Sequence, residues 1–308
     1  MAQSTRDAYG HVLETEIYKN PDVVVVDADI ASSTRAEKFK NKAPERFFNV
    51  GISEQDLLGT AGGLAAVGKI PLAGSYALFT ERGFEITRNS ICLPNLNVKI
   101  IVSHGGLTIG SDGATHQAVE DLAIMRSLPN LTVINPSDAW ETEEAVKAAI
   151  AHKGPVYIRL GKDAVPDIHE SGSTYHWNKG EILRDGSDVA LIGTGRMTAE
   201  ALAAADTLAQ EGIQAMVINM PTLKPIDADL IDKAARQTGC FVTAEEASVI
   251  GGLGSAVAET LVRRYPVRQE FVGIQDTFGE SGSSADLLKK YGLTAADIVA
   301  AAHKARET

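Results

Sequence analysis

The sequence predicts an α/β protein with two open, mainly parallel sheets that carry helices on both faces. Short runs rich in β-branched residues alternate with stretches of helical periodicity, which is typical of this fold class. Two such series occur, one before and one after the polar, turn-rich segment at 168–180. The length of 308 residues agrees with two domains, since single domains are roughly 100–200 residues long.

The first series covers the amino-terminal half of the chain. Its strands are predicted at Val23–Asp27, Ile70–Gly74, Val98–Ser103, Leu131–Ile134 and Val156–Leu160. Its helices are predicted near Thr5–Lys19, Glu54–Val67, Arg82–Ser90, Ala118–Arg126 and Ala139–His152. We therefore assign residues 1–170 to a first domain, residues 171–184 to a linker and residues 185–308 to a second domain.

The second series covers the carboxy-terminal part of the chain. Its strands are predicted at Asp188–Gly193, Ala215–Met220, Cys240–Ala244 and Glu270–Ile274, and its helices at Ala199–Glu211, Leu230–Thr238 and Gly252–Tyr265. Ligands of open α/β sheets bind beyond the carboxyl ends of the strands. The loops that follow the strands are therefore the segments in which we expect functional residues.

Composition and charge exclude several classes of protein. The net charge of −11 argues against binding to nucleic acid, which requires a basic surface. No apolar run approaches the roughly 18 residues of a membrane span, and the first ten residues lack the apolar core of an export signal. The two cysteines, Cys92 and Cys240, lie far apart without metal-ligand spacing. These features predict a cytoplasmic protein without a disulfide framework.

The first candidate segment, GISEQ at 51–55, precedes a helix that is rich in small residues. By itself, Glu54 is better explained as a carboxylate that stabilises the amino terminus of a helix. The helix, however, contains Gly59, Gly62 and Gly63, and each glycine costs about 0.8–1 kcal/mol relative to alanine in a helix interior. We expect another backbone or a ligand to approach this helix closely.

The second candidate segment is SYALFTER at 75–82, which follows a predicted strand. Tyr76, Phe79 and Arg82 recur every three residues, so one turn of helix brings them to the same face. Packing in the core explains Phe79 equally well, and a solvated helix surface explains Arg82.

The third candidate segment is the loop at 104–117, HGGLTIGSDGATHQ. It combines four glycines with His104, Asp112 and His116, and it occurs where an α/β fold has its active-site loop. Histidine titrates near neutral pH and can shuttle protons. A metal site is disfavoured because no third histidine or cysteine lies at zinc spacing. In the second domain, 193–195 lacks the third glycine of a dinucleotide loop, and 279–282 is interpreted as a structural turn.

Taken in this order, these segments resemble the transketolase family. GISEQ, SYALFTER, HGGLTIGSDGATHQAVED and the closing IQDTFGESGSSADLLKKYGL are the most specific parts, and the resemblance covers nearly the whole chain. It implies a pyrimidine-binding domain followed by the transketolase carboxy-terminal domain. It also implies thiamine diphosphate as cofactor, with Glu54 hydrogen-bonded to a ring nitrogen of the aminopyrimidine. Tyr76 and Phe79 match positions that pack on this ring, and Arg82 lies nearby, as in the synthases of deoxyxylulose phosphate.

The resemblance also implies the substrate contacts. His116 and Asp112 match positions that contact the donor hydroxyls and the bound intermediate, and His104 matches a histidine near the substrate phosphate. Arg6, Ser33 and Arg159 match phosphate-binding positions, which suits the bidentate geometry of arginine. For Arg6 and Arg159, a surface salt bridge is an equally good explanation when the resemblance is set aside. Glu54, His116 and His104 are the predicted catalytic residues.

One motif of the family is absent from the sequence. Transketolases bind Mg²⁺ and the diphosphate through a Gly-Asp-Gly motif, which occurs nowhere in these 308 residues. The metal and diphosphate supply most of the anchoring charge of the cofactor. We therefore expect the small subunit of a split transketolase, with no metal ligands of its own. Its partner would be an amino-terminal transketolase subunit that carries the motif, in an α2β2 heterotetramer.

The implied activity is transfer of a two-carbon ketol unit from a ketose phosphate, or a sulfo-ketose analogue, to an aldose phosphate. The alternatives are a deoxyxylulose-phosphate synthase, the β subunit of a 2-oxo-acid dehydrogenase, and a non-catalytic regulatory relative. The first normally carries all three domains on one chain, and the second needs no His104 or phosphate-binding arginines. Loss of Glu54 or His116 would indicate the third, and both residues are present.

Overall fold

The computed structural model describes residues 2–170 and 172–307. Met1, Ser171 and Thr308, which fall at limits of the predicted domain and linker ranges, lie outside the described residues. The strands are β1 (Gln3–Ser4), β2 (Val23–Asp27), β3 (Phe47–Asn49), β4 (Ile70–Gly74), β5 (Lys99–Val102), β6 (Thr132–Ile134), β7 (Val156–Arg159), β8 (Ala164–Val165), β9 (Glu181–Arg184), β10 (Val189–Gly193), β11 (Ala215–Asn219), β12 (Thr222–Lys224), β13 (Cys240–Ser248) and β14 (Arg268–Ile274).

The helices are α1 (Thr5–Thr15), α2 (Ala31–Thr34), α3 (Glu37–Lys40), α4 (Glu54–Ala66), α5 (Ala77–Thr80), α6 (Phe84–Ile86), α7 (Asp121–Arg126), α8 (Ala139–Ala151), α9 (Met197–Gln210), α10 (Ala228–Thr238), α11 (Leu253–Arg264), α12 (Ser284–Lys290) and α13 (Ala295–Arg306). Among the described residues, none of these helices is both long and apolar enough to span a bilayer.

Two mainly parallel sheets form the architecture, which confirms the predicted fold class. The first has the order β12-β6-β7-β5-β4-β2-β3 and the second has the order β14-β13-β10-β11-β9. Each sheet has one antiparallel edge strand, β12 in the first and β9 in the second. The strand β2, which lies between β4 and β3, is buried along its whole length. This burial explains its run of four valines, since a parallel strand is covered by helices on both faces.

Two edge strands do not follow the predicted division of the chain into two domains and a linker. β12 comes from the predicted second domain, yet it pairs with β6 at the edge of the first sheet. β9 lies inside the range 171–184 that is predicted as linker, and it pairs with β11 of the second sheet. The predicted domain limits themselves stay a prediction.

The prediction of one regular helix at 82–90 is wrong. A 3₁₀ turn at Glu81–Gly83, the short α6 and a π-helical turn at Thr87–Cys92 replace one continuous helix. Gly83 packs directly on α4. A Cβ at this position would lie 2.2 Å from the Cδ1 atom of Leu58, so a side chain does not fit here. Contact with α4 therefore overrides the local helical pattern.

The glycines of α4 have two different environments. A Cβ at Gly62 would lie 3.1 Å from the carbonyl oxygen of Ser90, so a neighbouring backbone does approach the helix closely. At Gly59 and Gly63, in contrast, a Cβ would have no atom of the described residues within 4 Å. Part of the glycine-rich face is therefore open.

A buried histidine ties the segment between the sheets to both of them. The Nδ1 atom of His169 lies 2.8 Å from the Oδ2 atom of Asp138, which caps α8. Its Nε2 atom lies 3.3 Å from Glu181 in β9 and 3.9 Å from Glu141. Burial alone would lower the pKa of His169, but the Asp138 hydrogen bond and the Glu141 charge raise it above the ordinary value. Protonated His169 therefore stabilises this junction.

Replacing this histidine should destabilise the fold in a pH-dependent way. A histidine whose pKa is raised on folding stabilises the folded state fully below its unfolded pKa of about 6.5. This stabilisation is lost as pH rises through the pKa of the folded state. His169→Ala should therefore lower the free energy of unfolding by about 1.5–3 kcal/mol at pH 6 and by less at pH 8.5. Denaturant titrations at both pH values measure this difference. His303→Ala, which removes a surface pair with Glu211, is the control. An equal loss at both pH values would contradict the prediction.

Candidate functional site

The candidate residues gather at the carboxyl ends of adjacent parallel strands in the first sheet. β2, β4, β5 and β7 are neighbours. β2, β4 and β5 are each followed by a segment that carries a predicted site residue, and Arg159 ends β7. Arg6 joins them from the start of α1, and Glu54 from the start of α4. The parallel arrangement explains why residues that are distant in sequence meet at one edge.

Glu54 lies at the floor of an open groove. It is only 4% exposed, and Ile52, Ser53, Gln55 and Arg82 line the groove around it. The Nη1 atom of Arg82 lies 3.6 Å from the Oε2 atom of Glu54, although the Arg82 side chain is 66% exposed. A buried carboxylate that faces an open groove is suited to hold a proton shared with a ligand.

Four rings form a continuous row beside this groove, and we call Tyr76, Phe79, His104 and His116 the aromatic row. The Tyr76 and Phe79 rings are stacked, with centroids 5.3 Å apart and planes inclined by 18°. The His104 centroid lies 3.9 Å from that of Tyr76, and the His116 centroid lies 5.2 Å from that of Phe79. The guanidinium of Arg82 is 5.9 Å from the Phe79 ring. The row therefore runs from His104 to His116, and Arg82 links its member Phe79 to Glu54.

His104 is held in a strained and buried position. Its φ of +61° is in the left-handed region, and its Nδ1 atom is 2.7 Å from the hydroxyl of Ser103. Burial lowers the pKa of His104 to about 3, and the charges of Arg6, Lys162, Arg35 and His116 contribute in the same direction. His104 is therefore neutral at physiological pH.

The neighbours of His104 also define its tautomer. The Nε2 atom lies 3.4 Å from the Nη1 atom of Arg6, and a guanidinium has only donors. Nε2 must therefore accept, and Nδ1 carries the proton that it donates to Ser103.

Arg6 contacts the segment around Ser33 through the main chain. Its Nη1 atom donates to the carbonyl oxygen of Ser33 at 3.3 Å, and its Nη2 atom lies 3.6 Å from Asp7. The structure thus brings Arg6, Ser33 and His104 together at one end of the aromatic row.

Arg159 does not lie in this row. It is 3% exposed, its Nη2 atom donates to the carbonyl oxygens of Ala118 and Glu246, and its Nε atom lies 3.2 Å from Asp121. Arg159 itself lines a small cavity together with Gly105 and Glu246. Its predicted contact with a substrate anion stays a prediction, whereas its observed contacts fix the base of the active-site loop.

Asp112 lies on the surface of that loop. It ends the 3₁₀ turn at Gly110–Asp112 and is exposed, and within the described residues no hydrogen bond joins it to the aromatic row. His116 is half-buried, with its Nδ1 atom 3.0 Å from the hydroxyl of Thr115. The predicted contacts of both residues with the donor stay predictions.

Residues of the second sheet support the loop, and sequence reasoning missed them. The Oε1 atom of Glu246 accepts from the backbone N–H of Thr108 at 2.8 Å, and Gly106 leaves no room for a side chain beside this carboxylate. Gln117 donates to the carbonyl oxygen of Glu280 at 2.9 Å, so the turn at 279–282 packs on the loop. Glu246 lies within an ordinary buried strand, and nothing in its local sequence signals this contact.

The arrangement suits a planar, nitrogen-containing ring rather than a metal ion. The guanidinium of Arg82 lies near both the buried Glu54 carboxylate and the Phe79 ring, so a carboxylate and an aromatic face are close together here. In the described ranges, no group of three or more histidine, cysteine, aspartate or glutamate side chains is arranged to hold a metal.

The protonation state of His104 can be measured directly. With a pKa near 3, its ring should stay neutral, with the proton on Nδ1, from pH 8 down to pH 5. Long-range ¹H–¹⁵N spectra of histidine-labelled protein report both ring nitrogens. The ring signals of the exposed His176 serve as the internal reference. A protonated His104 at pH 6 would contradict the prediction.

Removal of Arg159 should destabilise the protein. Arg159→Met leaves the fully buried Asp121 without its cation and two carbonyl groups without their donor, which should cost about 3–5 kcal/mol. Denaturant unfolding measures this loss. Arg236→Met, which removes an exposed pair with Asp232, should change the free energy of unfolding far less. A loss below 1 kcal/mol for Arg159→Met would contradict a structural role.

Comparison with known families identifies the two parts of the chain. Residues 1–167 match the pyrimidine binding domain of transketolase, and residues 178–298 match the transketolase C-terminal domain. A solved split-gene transketolase, described as an inactive β4 tetramer, is 50% identical with a TM-score of 0.91, and the match covers 99% of both chains.

Two curated relatives extend this comparison. A 6-deoxy-6-sulfo-D-fructose transketolase subunit of a Clostridium species is 42% identical, and the match covers 98% of this chain and 94% of that protein. A 1-deoxy-D-xylulose-5-phosphate synthase of Geobacter sulfurreducens is 39% identical over 97% of this chain, which spans only 48% of the synthase. With both domains matched in order, and with the buried glutamate and aromatic row in the first of them, this chain belongs to the transketolase family.

Proposed function

We propose that this chain is the small subunit of a split, thiamine-diphosphate-dependent transketolase. The complex transfers a two-carbon ketol unit from a ketose with an anionic tail to an aldose phosphate. The buried Glu54, which faces an open groove beside the aromatic row, is the observation that carries this proposal. The 42% identity to a chain that is named as a transketolase subunit supports it.

The residues of the groove fit the aminopyrimidine of the cofactor. Tyr76 and Phe79 offer stacked apolar faces, and Glu54 offers a carboxyl oxygen to a ring nitrogen. When bound, thiamine diphosphate supplies the nucleophilic carbon and the electron sink for cleavage of the ketose. Glu54 holds the proton that it shares with the ring nitrogen, and Arg82 covers the outer side of the carboxylate.

The remaining residues orient the sugar. Neutral His104 lies where it can accept or relay a hydrogen bond without carrying charge, and His116 faces the same row. We assign His116 and Asp112 to the donor hydroxyls and His116 to proton transfer. Arg6 and the Ser33 segment, at the far end of the row, bind the anionic tail.

We propose that a second chain completes the site. Mg²⁺, which would hold the diphosphate, takes oxygen ligands such as carboxylates, and the described residues contain no group of three or more histidine, cysteine, aspartate or glutamate side chains that could hold a metal ion. The open glycine face of α4 and the 77% exposed Ile52 adjoin the groove, which suits a docked partner. The partner would be an amino-terminal transketolase subunit with a Gly-Asp-Gly motif, in an α2β2 complex. The similar split-gene protein is described as inactive when it forms a β4 tetramer, in keeping with this dependence.

We also propose a cytoplasmic location. Both cysteines are buried free thiols, which supports it.

Deoxyxylulose-phosphate synthase is the second candidate activity. Arg82 beside Glu54 matches the deoxyxylulose-phosphate synthases, and one such synthase is 39% identical. The two activities differ in the donor, since the synthase decarboxylates a 2-oxo acid.

Co-expression with a candidate partner tests the proposal. Ketol transfer should require both chains, thiamine diphosphate and Mg²⁺. Glu54→Gln should lower kcat at least about 100-fold, because the shared proton is lost, while the melting temperature of the complex changes little. Glu211→Gln, at an exposed surface pair, is the matched control. Decarboxylation of a 2-oxo acid instead of ketol transfer, activity of this chain alone, or near-normal turnover of the Glu54 variant would each refute a stated part of the proposal.

A further inference from the structure

A turn of the carboxy-terminal domain, residues 279–282, lies directly against the active-site loop, and we call it the carboxy-terminal turn. A Cβ at Gly113 would lie 2.4 Å from the Oγ atom of Ser281, and a Cβ at Gly110 would lie 3.3 Å from the carbonyl oxygen of Gly282. Gly113 also has a φ of +76°, so both its backbone and this contact require glycine. Part of the glycine content of the loop is therefore explained by the close approach of the other domain.

The side-chain amide of Gln117 joins this turn to the loop. Gln117 is 3% exposed, and its Nε2 atom donates to the carbonyl oxygen of Leu107 at 3.2 Å and to that of Glu280 at 2.9 Å. An amide nitrogen carries two hydrogens, so both of its donors are used. One side chain thus closes the loop from residue 107 to residue 117 and attaches it to the carboxy-terminal domain.

The main chain of His116 is held on both sides by the carboxy-terminal turn. The N–H of His116 donates to the carbonyl oxygen of Gly113 at 2.9 Å, and Gly113 packs on Ser281. The next residue in the chain, Gln117, is bound to Glu280. Two adjacent residues of the turn therefore contact the segments that precede and follow His116.

Packing alone does not explain a glutamine at position 117. The Oε1 atom of Gln117 is buried and has no hydrogen-bond partner among the described residues. Gly279 lies against this oxygen, since a Cβ at residue 279 would be only 2.0 Å from it. A buried acceptor without a partner costs stability, and an apolar side chain of similar length would avoid that cost. The two carbonyl groups that the amide nitrogen holds are the reason for a glutamine here.

The direction of the His116 ring depends on its main chain. The ring lies 5.2 Å from that of Phe79, with their planes inclined by 69°. Its Nδ1 atom is 3.0 Å from the hydroxyl of Thr115, which is its neighbour in sequence, so this contact moves together with the main chain. A shift of the backbone at residues 113–117 would therefore move the ring within the aromatic row.

Resting on the proposed function, we propose that Gln117 is a positioning residue for His116, and that the carboxy-terminal turn sets its place. Gln117 itself contacts neither the cofactor nor the sugar. Its amide fixes the main chain that carries His116, so that the imidazole meets the donor hydroxyls at the end of the aromatic row. The carboxy-terminal domain thereby takes part in ketol transfer without contributing a side chain to the reaction.

The first experiment measures the His116 ring without catalysis, in the full-length chain. The carbon-bound ring protons of His116 lie near Phe79, whose ring current shifts their NMR resonances. In Gln117→Met these resonances should move towards those of the exposed His176. Gln237→Met is the matched control, because it removes an amide that donates to a backbone carbonyl oxygen on the exposed surface, and it should leave them unchanged. Unmoved His116 resonances in Gln117→Met would overturn the proposal.

The second experiment uses the co-expressed complex. Gln117→Met should lower kcat at least about tenfold, because a displaced proton-transfer group works poorly, while the affinity for thiamine diphosphate stays unchanged. Gln237→Met should retain the kcat of the wild type. A kcat loss no larger than in this control, or a loss of cofactor affinity that accounts for the lower activity, would contradict a positioning role.

A further variant displaces the amide without changing Gln117. Gly279→Ala puts a methyl group 2.0 Å from the Oε1 atom, so the amide has to shift. This variant should move the His116 resonances and lower kcat as Gln117→Met does. The double variant should lose no more kcat than the more damaged single variant, since both act through the same amide. Losses that multiply in the double variant would show two independent effects and refute the shared route.

The outcomes separate this inference from the proposed function. If Gln117 only holds the two domains together, its replacement will lower the melting temperature and leave the His116 resonances of the folded protein in place. The inference then fails while ketol transfer stands. If the wild-type complex shows no ketol transfer, the proposed function fails, and the His116 resonances still decide whether Gln117 positions the ring.

Discussion

The buried ion pair between Arg159 and Asp121 supports the rest of the candidate site. Arg159 ends β7 of the first sheet, and the same guanidinium donates to the carbonyl oxygen of Ala118, after the active-site loop, and to that of Glu246, in β13 of the second sheet. One side chain thus joins two sheets and one loop. A buried pair of this kind adds little net stability, yet losing one partner is costly, so it fixes a single geometry. The carboxylate of Glu246 then holds the loop itself through Thr108.

The neutrality of His104 follows from this packing. Burial and the surrounding cations both oppose its protonation, so the positive charge at this end of the site resides on Arg6, Arg35 and Lys162. A neutral ring that only accepts at Nε2 leaves Arg6 free to hold an anion as well. The left-handed backbone of His104 is the conformational cost of this placement.

The Glu54 groove is closed on one side only. Glu54 at the start of α4 forms its floor, while Arg82 and Ile52 remain exposed at its rim. Gly59 and Gly63 continue the exposed surface along α4. This open side is the physical reason for the proposal that a second chain completes the site.

The sequence alone determined the fold class and most strands, because buried parallel strands leave continuous β-branched runs such as the one at Val23–Asp27. It did not reveal α13, whose apolar face consists largely of alanine and gives weak periodic contrast, or the edge strand β9, which lies in a polar segment. It also predicted one regular helix at 82–90, where packing against α4 imposes 3₁₀ and π-helical turns. These errors occur where long-range contacts outweigh local preference.

The candidate site shows the same contrast between local sequence and long-range contacts. The sequence placed Glu54, Tyr76, Phe79, His104 and His116 after successive strands, and the parallel sheet brings such positions to one edge. The direction of a cationic side chain, in contrast, depends on partners that are distant in sequence. Arg159 turns into the core towards Asp121, whereas Lys162 turns to the loop at Ile109. Local sequence therefore determined which residues lie at the site, and only tertiary contacts decided which cations face it.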